Sequence, residues 1–463
     1  MNKQYIISSL FLLAIVATSS CKKLIEIPSP SDQLTRGNVF NDSATAVSAI
    51  NGLYSYMYNY TSVADAAFKN QITLTGGMAA DEFYYFSAST FDQYKNNAIP
   101  VTDATNLSMW TTMFGVIYQA NSIIEGVVSG NVSDNLKNHL RGEALFVRAV
   151  SYFYLTNFYG DVPLVLTTEV SKNSMLARSE GSKVYEQIVV DLKEAKQLLP
   201  IDYNESGGER TRANSWAATA MLSRVYLYMG NYADAILESS AVINQNTFYT
   251  IPTPSQAFLA SSREAILQFY TNVYNYTYIQ NSLSPQTDAT TAIPAYVIRD
   301  GLLSEFEQGD QRKNAWVASI IYNNKTYYYP QKYKRNSYSN AGSPEYDLFL
   351  RLGEQFLIRA ESYTQLGKLT EAQDDLTLIR KRAGLGRPAA SDKASLLLAI
   401  EKERRTELFA EYAHRWFDLK RTKRLDAVLK SEKPNTWKSF ASLFPIPQSA
   451  RSTNLNLSQN SGY

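Results

Sequence analysis

The stretch AIEKERRTELFAE (residues 399–411), followed by RWFDLKR (residues 415–421), is the most informative part of this chain about its fold. In a helix, Arg404 shares one face with apolar side chains. Those side chains are Ile400, Leu408 and Tyr412. A guanidinium buried on such a face is costly unless a carboxylate pairs with it, and Glu143 and Glu361 are candidate partners. We therefore predict that Arg404 forms a structural ion pair rather than a ligand contact.

This stretch resembles the signature helix of the SusD/RagB family of outer-membrane nutrient-binding lipoproteins. Further segments match the family in the expected order: NGLY (51–54), RGEA (141–144), FYGDVPLV (158–165), IRKRAGL (379–385), FPIP (444–447) and QNSGY (459–463). Ser461 stands where the family usually has proline. The resemblance covers essentially the whole mature chain and implies a mostly α, SusD-like fold built on a scaffold of tetratricopeptide-like helical repeats.

The resemblance also implies a function. Family members are receptors rather than enzymes, and they capture an oligosaccharide and deliver it to a SusC-like TonB-dependent outer-membrane transporter. The helical scaffold is expected to dock on the transporter, while the opposite, loop-rich side grips the ligand. RagB-like relatives handle oligopeptides, so a peptide is an alternative ligand. A structural subunit of the transporter complex without direct substrate contact is a further alternative.

Apolar periodicity predicts the helices of the scaffold. Residues 46–57 carry one apolar stripe at helical spacing, preceded by the possible N-caps Asn41, Asp42 and Ser43. Residues 136–158 are apolar on nearly all sides, which is typical of a helix packed between other helices. Gly160 and Pro163 then predict an abrupt end to that helix.

Two segments resemble each other when they are aligned on Gly230 and Gly367. Each has a tyrosine four residues before the glycine and an alanine five residues after it, namely Tyr226 and Ala235 in one copy and Tyr363 and Ala372 in the other. Tetratricopeptide repeats need small residues and a tight turn at such places so that two antiparallel helices pack closely. We therefore predict two helix-turn-helix units.

The helical period is lost between about residues 245 and 345, where Asn, Thr, Tyr, Pro and Ser accumulate. This composition predicts a long loop-rich insertion with short strands. Tyr274, Tyr276 and Tyr278 alternate with polar residues, so in an extended chain their rings would share one face. The segments 327–329 and 332–334 are predicted to form a strand pair and are left out of the candidate ligand site.

The N-terminus predicts secretion and lipid anchoring. Residues 1–20 combine Lys3 with a short apolar run and small polar residues, which is typical of a signal peptide. Cys21 is the single cysteine of the chain and follows this run directly, so we expect it to be the acylated first residue of a cell-surface lipoprotein in the outer membrane. Residues 21–34 would form a Pro- and Ser-rich tether, and residues 35–463 a single domain.

Composition excludes some classes of function and favours others. The chain has 45 Lys and Arg against 43 Asp and Glu, without the basic stripe that nucleic acid binding requires. It has 33 Tyr against 20 Phe and 5 Trp, and tyrosine suits surfaces that are both apolar and wet. A ligand-binding protein is therefore favoured over a nucleic-acid-binding one.

No recognisable catalytic motif is present. The two histidines, His139 and His414, cannot supply a zinc site, and the sequence lacks a nucleophile elbow, a metalloprotease helix and a phosphate loop. We predict no catalytic residue, no metal site and no cofactor. A surface glycosidase is the remaining enzymatic alternative, since its two carboxylates need no local motif.

Two aromatic segments combine rings with polar side chains, as a sugar-binding site requires. The candidate ligand-binding residues are Asp81, Glu82, Tyr84, Tyr85, Tyr94 and Asn96 in the first segment, and Tyr274, Tyr276 and Tyr278 in the second. We expect one of Tyr84 and Tyr85 to bind and the other to pack in the core. Packing between strands is the competing interpretation of the second segment.

Overall fold

Helices joined by short turns make up most of the computed structural model, which describes residues 39–59, 67–271, 276–285, 292–337 and 342–463. The helices are α1 (Ser43–Tyr54), α2 (Ile72–Ala79), α3 (Asp92–Lys95), α4 (Ala104–Ser129), α5 (Asp134–Tyr159), α6 (Val170–Asn173), α7 (Gly181–Leu198), α8 (Ser215–Met229), α9 (Tyr232–Ile243), α10 (Tyr278–Leu283), α11 (Asp300–Leu303), α12 (Gln311–Trp316), α13 (Leu352–Gln365), α14 (Leu369–Arg382), α15 (Lys393–Leu408), α16 (His414–Arg421), α17 (Leu425–Glu432) and α18 (Gln448–Thr453). The strands are β1 (Phe83–Tyr85), β2 (Ala265–Phe269), β3 (Tyr296–Ile298), β4 (Val317–Tyr322), β5 (Lys325–Pro330) and β6 (Asp347–Arg351). The predicted signal peptide, the tether and Cys21 lie outside the described residues.

Local sequence signals set the first helices. Asp42 caps α1 by accepting a hydrogen bond from the backbone N–H of Thr45 at 3.0 Å, as the N-cap pattern predicted. The long helix α5 buries residues around its whole circumference and ends at Gly160, whose φ is 75°. Both predicted helices are confirmed. Within the described residues, no helix combines the length and apolar character needed to cross a bilayer.

The two predicted helix-turn-helix units are α8 with α9 and α13 with α14. Their turns contain Gly230 at φ 75° and Gly367 at φ 78°, a left-handed conformation that glycine adopts without strain. Ala235 and Ala372 are fully buried, which allows the two helices of each unit to approach closely. Helix α9 packs on α13, so the two units stack, and α4, α5 and α7 extend the array on the other side of α8. The predicted mostly helical scaffold is confirmed.

Short two-stranded sheets and short helices form the insertion between α9 and α13. Strand β2 pairs with β6, and β4 pairs with β5 in a hairpin, all antiparallel. Two predictions here are wrong. Residues 327–329 do lie in a strand, but their partner is β4 and not residues 332–334. The extended run expected through Tyr278 instead turns into α10, because the Thr277 hydroxyl caps that helix at the N–H of Gln280.

The opening stretch ties this insertion to the scaffold. Glu407 on α15 accepts hydrogen bonds from Arg312 of α12 at 2.9 Å, from Arg351 of β6 at 2.6 Å, and from Arg382 of α14. Burial alone would raise the pKa of Glu407, but these three guanidinium groups lower it well below its usual value. A buried carboxylate shared by three elements fixes their relative positions.

Arg404 is paired, as predicted, but with a different carboxylate. Its Nε donates to Asp418 of α16 at 2.7 Å. The two candidate partners are taken by other arginines: Glu143 by Arg212, and Glu361 by Arg421. The pair with Asp418 joins α15 to the helix that follows it, so the link is local in sequence.

Candidate ligand-binding site

The first aromatic segment forms an antiparallel ribbon of β1 and β3, in which Tyr84 lies opposite Val297. Successive side chains of a strand point to opposite faces. Phe83 is fully buried, and Tyr85 packs edge-on against Tyr296 with ring centroids 5.1 Å apart. Tyr84 and Phe86 therefore share the other face of the ribbon, and both are partly exposed.

The β4–β5 hairpin covers that outer face. In the hairpin, the centre of the Tyr327 ring lies 5.1 Å from the centre of the Phe86 ring, and the centre of the Tyr322 ring lies 5.6 Å from the same point. The two-residue turn of Asn323 and Asn324 has φ values of 49° and 60°, which suits the twist of a hairpin and which asparagine tolerates well. The turn therefore places two tyrosine rings against the ribbon.

A cavity of about 280 Å³ lies between the ribbon and the hairpin, and we call it the aromatic cavity. Its aromatic side chains are Tyr84, Tyr327 and Tyr328, and its charged side chains are Arg299, Asp300, Lys325 and Glu432. Nη1 of Arg299 donates to Glu432 at 3.2 Å, and the guanidinium lies 5.8 Å from the centre of the Tyr84 ring. Burial, and the neighbouring Tyr327, raise the pKa of Tyr84, so its phenol stays neutral and can both donate and accept.

Close packing under the cavity holds the ribbon and Glu432 in place. Nζ of the buried Lys433 donates to the carbonyl oxygens of Met78 at 2.9 Å and Ala79 at 2.8 Å, at the end of α2 where carbonyls lack partners within the helix. A Cβ on Gly77 would lie 2.3 Å from the ring of Phe83, so this glycine lets β1 pack directly on α2. The chain following α17 is thereby fixed next to β1.

Asp81 and Glu82 do not line the aromatic cavity, and both are only 2% exposed. Asp81 accepts from Arg415 at 2.8 Å and pairs with Arg405 at 2.8 Å. Burial alone would raise the pKa of Asp81, but the guanidinium groups of Arg415 and Arg405 lower it to about 2. Burial and the neighbouring Asp81 raise the pKa of Glu82 to about 8. These carboxylates support the ribbon from inside.

The other predicted residues of the first segment also lie off the cavity. Tyr94 is fully buried and its hydroxyl donates to Asp103. Asn96 is half-buried after α3 and does not line the aromatic cavity. Tyr85 packs inward, as described above, so Tyr84 is the residue of this segment that lines the cavity.

The structure describes two of the three tyrosines of the second segment, Tyr276 and Tyr278. Tyr274 lies outside the described residues. Tyr276 is 9% exposed, and Tyr278 begins α10, where Nζ of Lys69 lies 3.8 Å above its ring. A cation over a ring is a packing contact that stabilises the fold. Neither tyrosine lines the aromatic cavity.

Several cavity residues could not be identified from sequence. The sequence predicts a strand for residues 327–329, but three consecutive tyrosines do not alternate with other residue types, so the pattern does not show which ring faces a cavity. Arg299 and Glu432 are 133 residues apart, and neither belongs to a motif. A larger cavity of about 790 Å³ lies among α8, α9, α13 and α15, in the scaffold that the family resemblance assigns to transporter docking.

Comparison with known proteins finds two family models that match the chain in succession. A model described as "Starch-binding associating with outer membrane" matches residues 29–227, and a model described as "SusD family" matches residues 261–463. SusD-like protein P2 of Formosa agariphila is 24% identical over 515 aligned residues, which cover 98% of this chain and 99% of the relative.

Solved structures with the same fold include two of particular interest. A SusD superfamily protein from Bacteroides vulgatus aligns with a TM-score of 0.81 at 20% identity, covering 92% of this chain and 100% of its own. A laminarin binding SusD-like protein aligns with a TM-score of 0.77 at 22% identity, covering 91% of this chain and 100% of its own. At sequence identities of 20% and 22%, these TM-scores show a shared fold alone.

Proposed function

Because this chain belongs to the SusD family, we propose that it is a non-catalytic cell-surface receptor that binds an oligosaccharide in the aromatic cavity. The observation that carries the proposal is the meeting of partly exposed rings, Tyr84 and Tyr327, with the ion pair of Arg299 and Glu432. Sugars present C–H faces that stack on aromatic rings and hydroxyls that hydrogen-bond to charged groups. The cavity offers both within one small space.

The charged groups of the cavity support binding rather than bond cleavage. Among the described residues that line it, the carboxylates are Asp300 and Glu432, and Glu432 is bound to Arg299. A glycosidase needs two carboxyl groups that face each other across the scissile bond, one of them protonated. An ion-paired carboxylate suits a hydrogen-bond acceptor better than a general acid.

The proposal extends to the place where the receptor acts. Cys21 would carry the lipid that anchors the chain in the outer membrane, with residues 21–34 as the tether. The helical scaffold would dock on a SusC-like TonB-dependent transporter, which receives the captured ligand. The outer-membrane description of the matching family model and the predicted signal peptide support this assignment.

Calorimetric titration of the lipid-free protein, residues 22–463, tests the proposal. The ligand panel should contain neutral and acidic oligosaccharides, including oligosaccharides from laminarin because a structural relative is named for binding it, and oligopeptides. Product analysis by chromatography should accompany each titration. We expect an oligosaccharide to bind and to be recovered intact.

Replacing an aromatic residue of the cavity tests whether the oligosaccharide binds there. Tyr327→Ala should weaken oligosaccharide binding by on the order of 2 kcal/mol, roughly 30-fold, as expected for loss of an anchor ring that the ligand covers. Tyr118→Ala is the matched control, because Tyr118 is 50% exposed on α4 in the scaffold. Unchanged affinity in Tyr327→Ala, binding of peptides alone, or cleaved products would each contradict the proposal.

A further inference from the structure

A second cavity adjoins the aromatic cavity, and its charges bear on the chemistry of the ligand. Gly301 and Glu432 line both spaces, and the second has a volume of about 480 Å³. We call it the polar cavity because ring side chains are absent from its lining among the described residues. A bound chain that stacks on Tyr84 and Tyr327 would extend past Glu432 into this space.

Charges along the two cavities balance. The cations that line them are Arg299, Lys325, Arg405, Arg415 and Arg424, and the carboxylates are Asp81, Asp300, Glu305, Glu401 and Glu432. Among the described residues, the linings of the two cavities therefore carry five positive and five negative side chains. The groove formed by the aromatic and polar cavities therefore has no net charge to attract an ion.

The arginines are also neutralised individually. Arg299 contacts Glu432 at 3.2 Å. In the polar cavity, Arg405 contacts Glu305 at 2.9 Å and Asp81 at 2.8 Å, Arg415 contacts Asp81 at 2.8 Å and Glu401 at 3.0 Å, and Arg424 contacts Glu401 at 2.8 Å. The remaining cation, Lys325, stands at the exposed hairpin tip with its Nζ 5.1 Å from the centre of the Tyr327 ring.

An anionic ligand meets a cost in such a groove. Its carboxylate or sulfate would lose water, while each arginine that could replace the water already faces a carboxylate. A hydroxyl has no such problem, because it donates and accepts at once. Adjacent hydroxyls can accept from Arg299 and donate to Glu432 without breaking the pair, and hydrogen bonds to charged groups are strong.

We infer that the ligand is an uncharged oligosaccharide, and that Glu432 is the specificity-determining residue that excludes acidic ones by neutralising Arg299. This inference rests on the proposed function, since it concerns the same cavity. The inference predicts that neutral glycans bind, and that uronate-containing glycans, sulfated glycans and peptides with charged termini bind more weakly.

The test compares neutral hexasaccharides with oligouronates of the same length by calorimetry, using the lipid-free chain. The wild-type protein should bind its best neutral ligand at least about 10-fold more tightly than any oligouronate, which is about 1.4 kcal/mol. Glu432→Gln keeps the side-chain shape and leaves Arg299 without its carboxylate. In this variant the ratio of the affinity for the neutral ligand to that for the oligouronate, the affinity gap, should fall by about 5-fold or more. Added salt should weaken the improved oligouronate binding.

Glu371→Gln is the matched control, because it removes one negative charge from the exposed first turn of α14 in the scaffold. It should leave the gap unchanged. Oligouronates that bind the wild-type protein as tightly as neutral sugars, or a gap that Glu432→Gln does not narrow, overturn the inference while leaving glycan binding intact. If no oligosaccharide of either class binds, the proposed function itself is wrong.

Discussion

At Asp81, a buried carboxylate is held between two arginines that come from a part of the chain more than 300 residues away. Asp81→Asn would leave Arg405 and Arg415 buried without their shared charge, so we expect a loss of about 3 kcal/mol in the free energy of unfolding at pH 7. Urea denaturation measures it. Asp374→Asn is the control, because Asp374 pairs with Arg387 on the exposed surface and should cost less than about 1 kcal/mol.

The same carboxylate predicts a pH dependence with a definite sign. The pKa of Asp81 is lowered to about 2 in the folded chain, below the value of about 3.9 for a free aspartate. Its contribution is therefore complete above about pH 4 and is lost as the pH falls towards 2. The stability difference between wild type and Asp81→Asn should shrink in that window. A difference that stays constant from pH 7 to pH 2.5 would contradict the assignment.

Glu82 should behave in the opposite way, because its pKa is raised to about 8 by burial and by Asp81. The protonated form is favoured in the folded state, so the contribution is complete below about pH 4.5 and is lost as the pH rises through 8. Glu82→Gln cannot ionise and should become more stable relative to wild type between pH 5 and pH 9. Thermal unfolding across that range measures the effect, and parallel curves for the two proteins would refute it.

At the scale of elements, the left-handed turns of the two helix-turn-helix units can be tested by substitution. A Cβ at Gly367 would meet nothing within 4 Å, so Gly367→Ala isolates the strain of a side chain at φ 78°. We expect a loss of about 1 kcal/mol in unfolding free energy, measured by urea denaturation. Gly52→Ala in α1 is the control, since Gly52 is exposed in open space and alanine favours helix, so it should stabilise by about 0.5 kcal/mol.

Elements could be predicted where their signals are local. The caps and apolar faces of α1 and α5, and the glycine turns of the two units, follow from residues within a few positions of each other. The alternation of Tyr274, Tyr276 and Tyr278 does not predict the helix that begins at Tyr278, because the same sequence lets Thr277 cap a helix there. Local patterns therefore gave the scaffold more completely than the insertion.

The candidate site was less predictable because its contacts are remote in sequence. From sequence, Asp81 and Glu82 look suited to a ligand, because nothing near them indicates that Asp81 pairs with Arg405 and Arg415. Conversely, Arg299 and Glu432 form their ion pair only because the fold brings α17 beside the ribbon. A polar residue in an aromatic segment cannot be assigned to a core or a cavity until its long-range partner is known.

At the scale of the molecule, the stretch of residues 399–411 connects the scaffold to the aromatic and polar cavities. Glu407 of α15 binds arginines from the insertion, and Arg405 of the same helix binds Asp81 under the ribbon. Residues on one helix thus position both the hairpin side and the ribbon side of the groove. Rigid support of this kind suits a receptor that recognises its ligand by shape and keeps most interface side chains ordered before binding.

The proposed lipid anchor belongs to the same scale, because it would decide where the cavities meet a ligand. Cys21→Ala removes the sulfur that acylation requires and should move the protein from the membrane fraction to the soluble fraction, with no incorporation of labelled palmitate. Oligosaccharide affinity should stay the same, since the anchor and the aromatic cavity are separate parts of the chain. Lys22→Ala, one residue later, should leave membrane attachment unchanged. Membrane attachment and palmitate labelling that persist in Cys21→Ala would show that another residue carries the anchor.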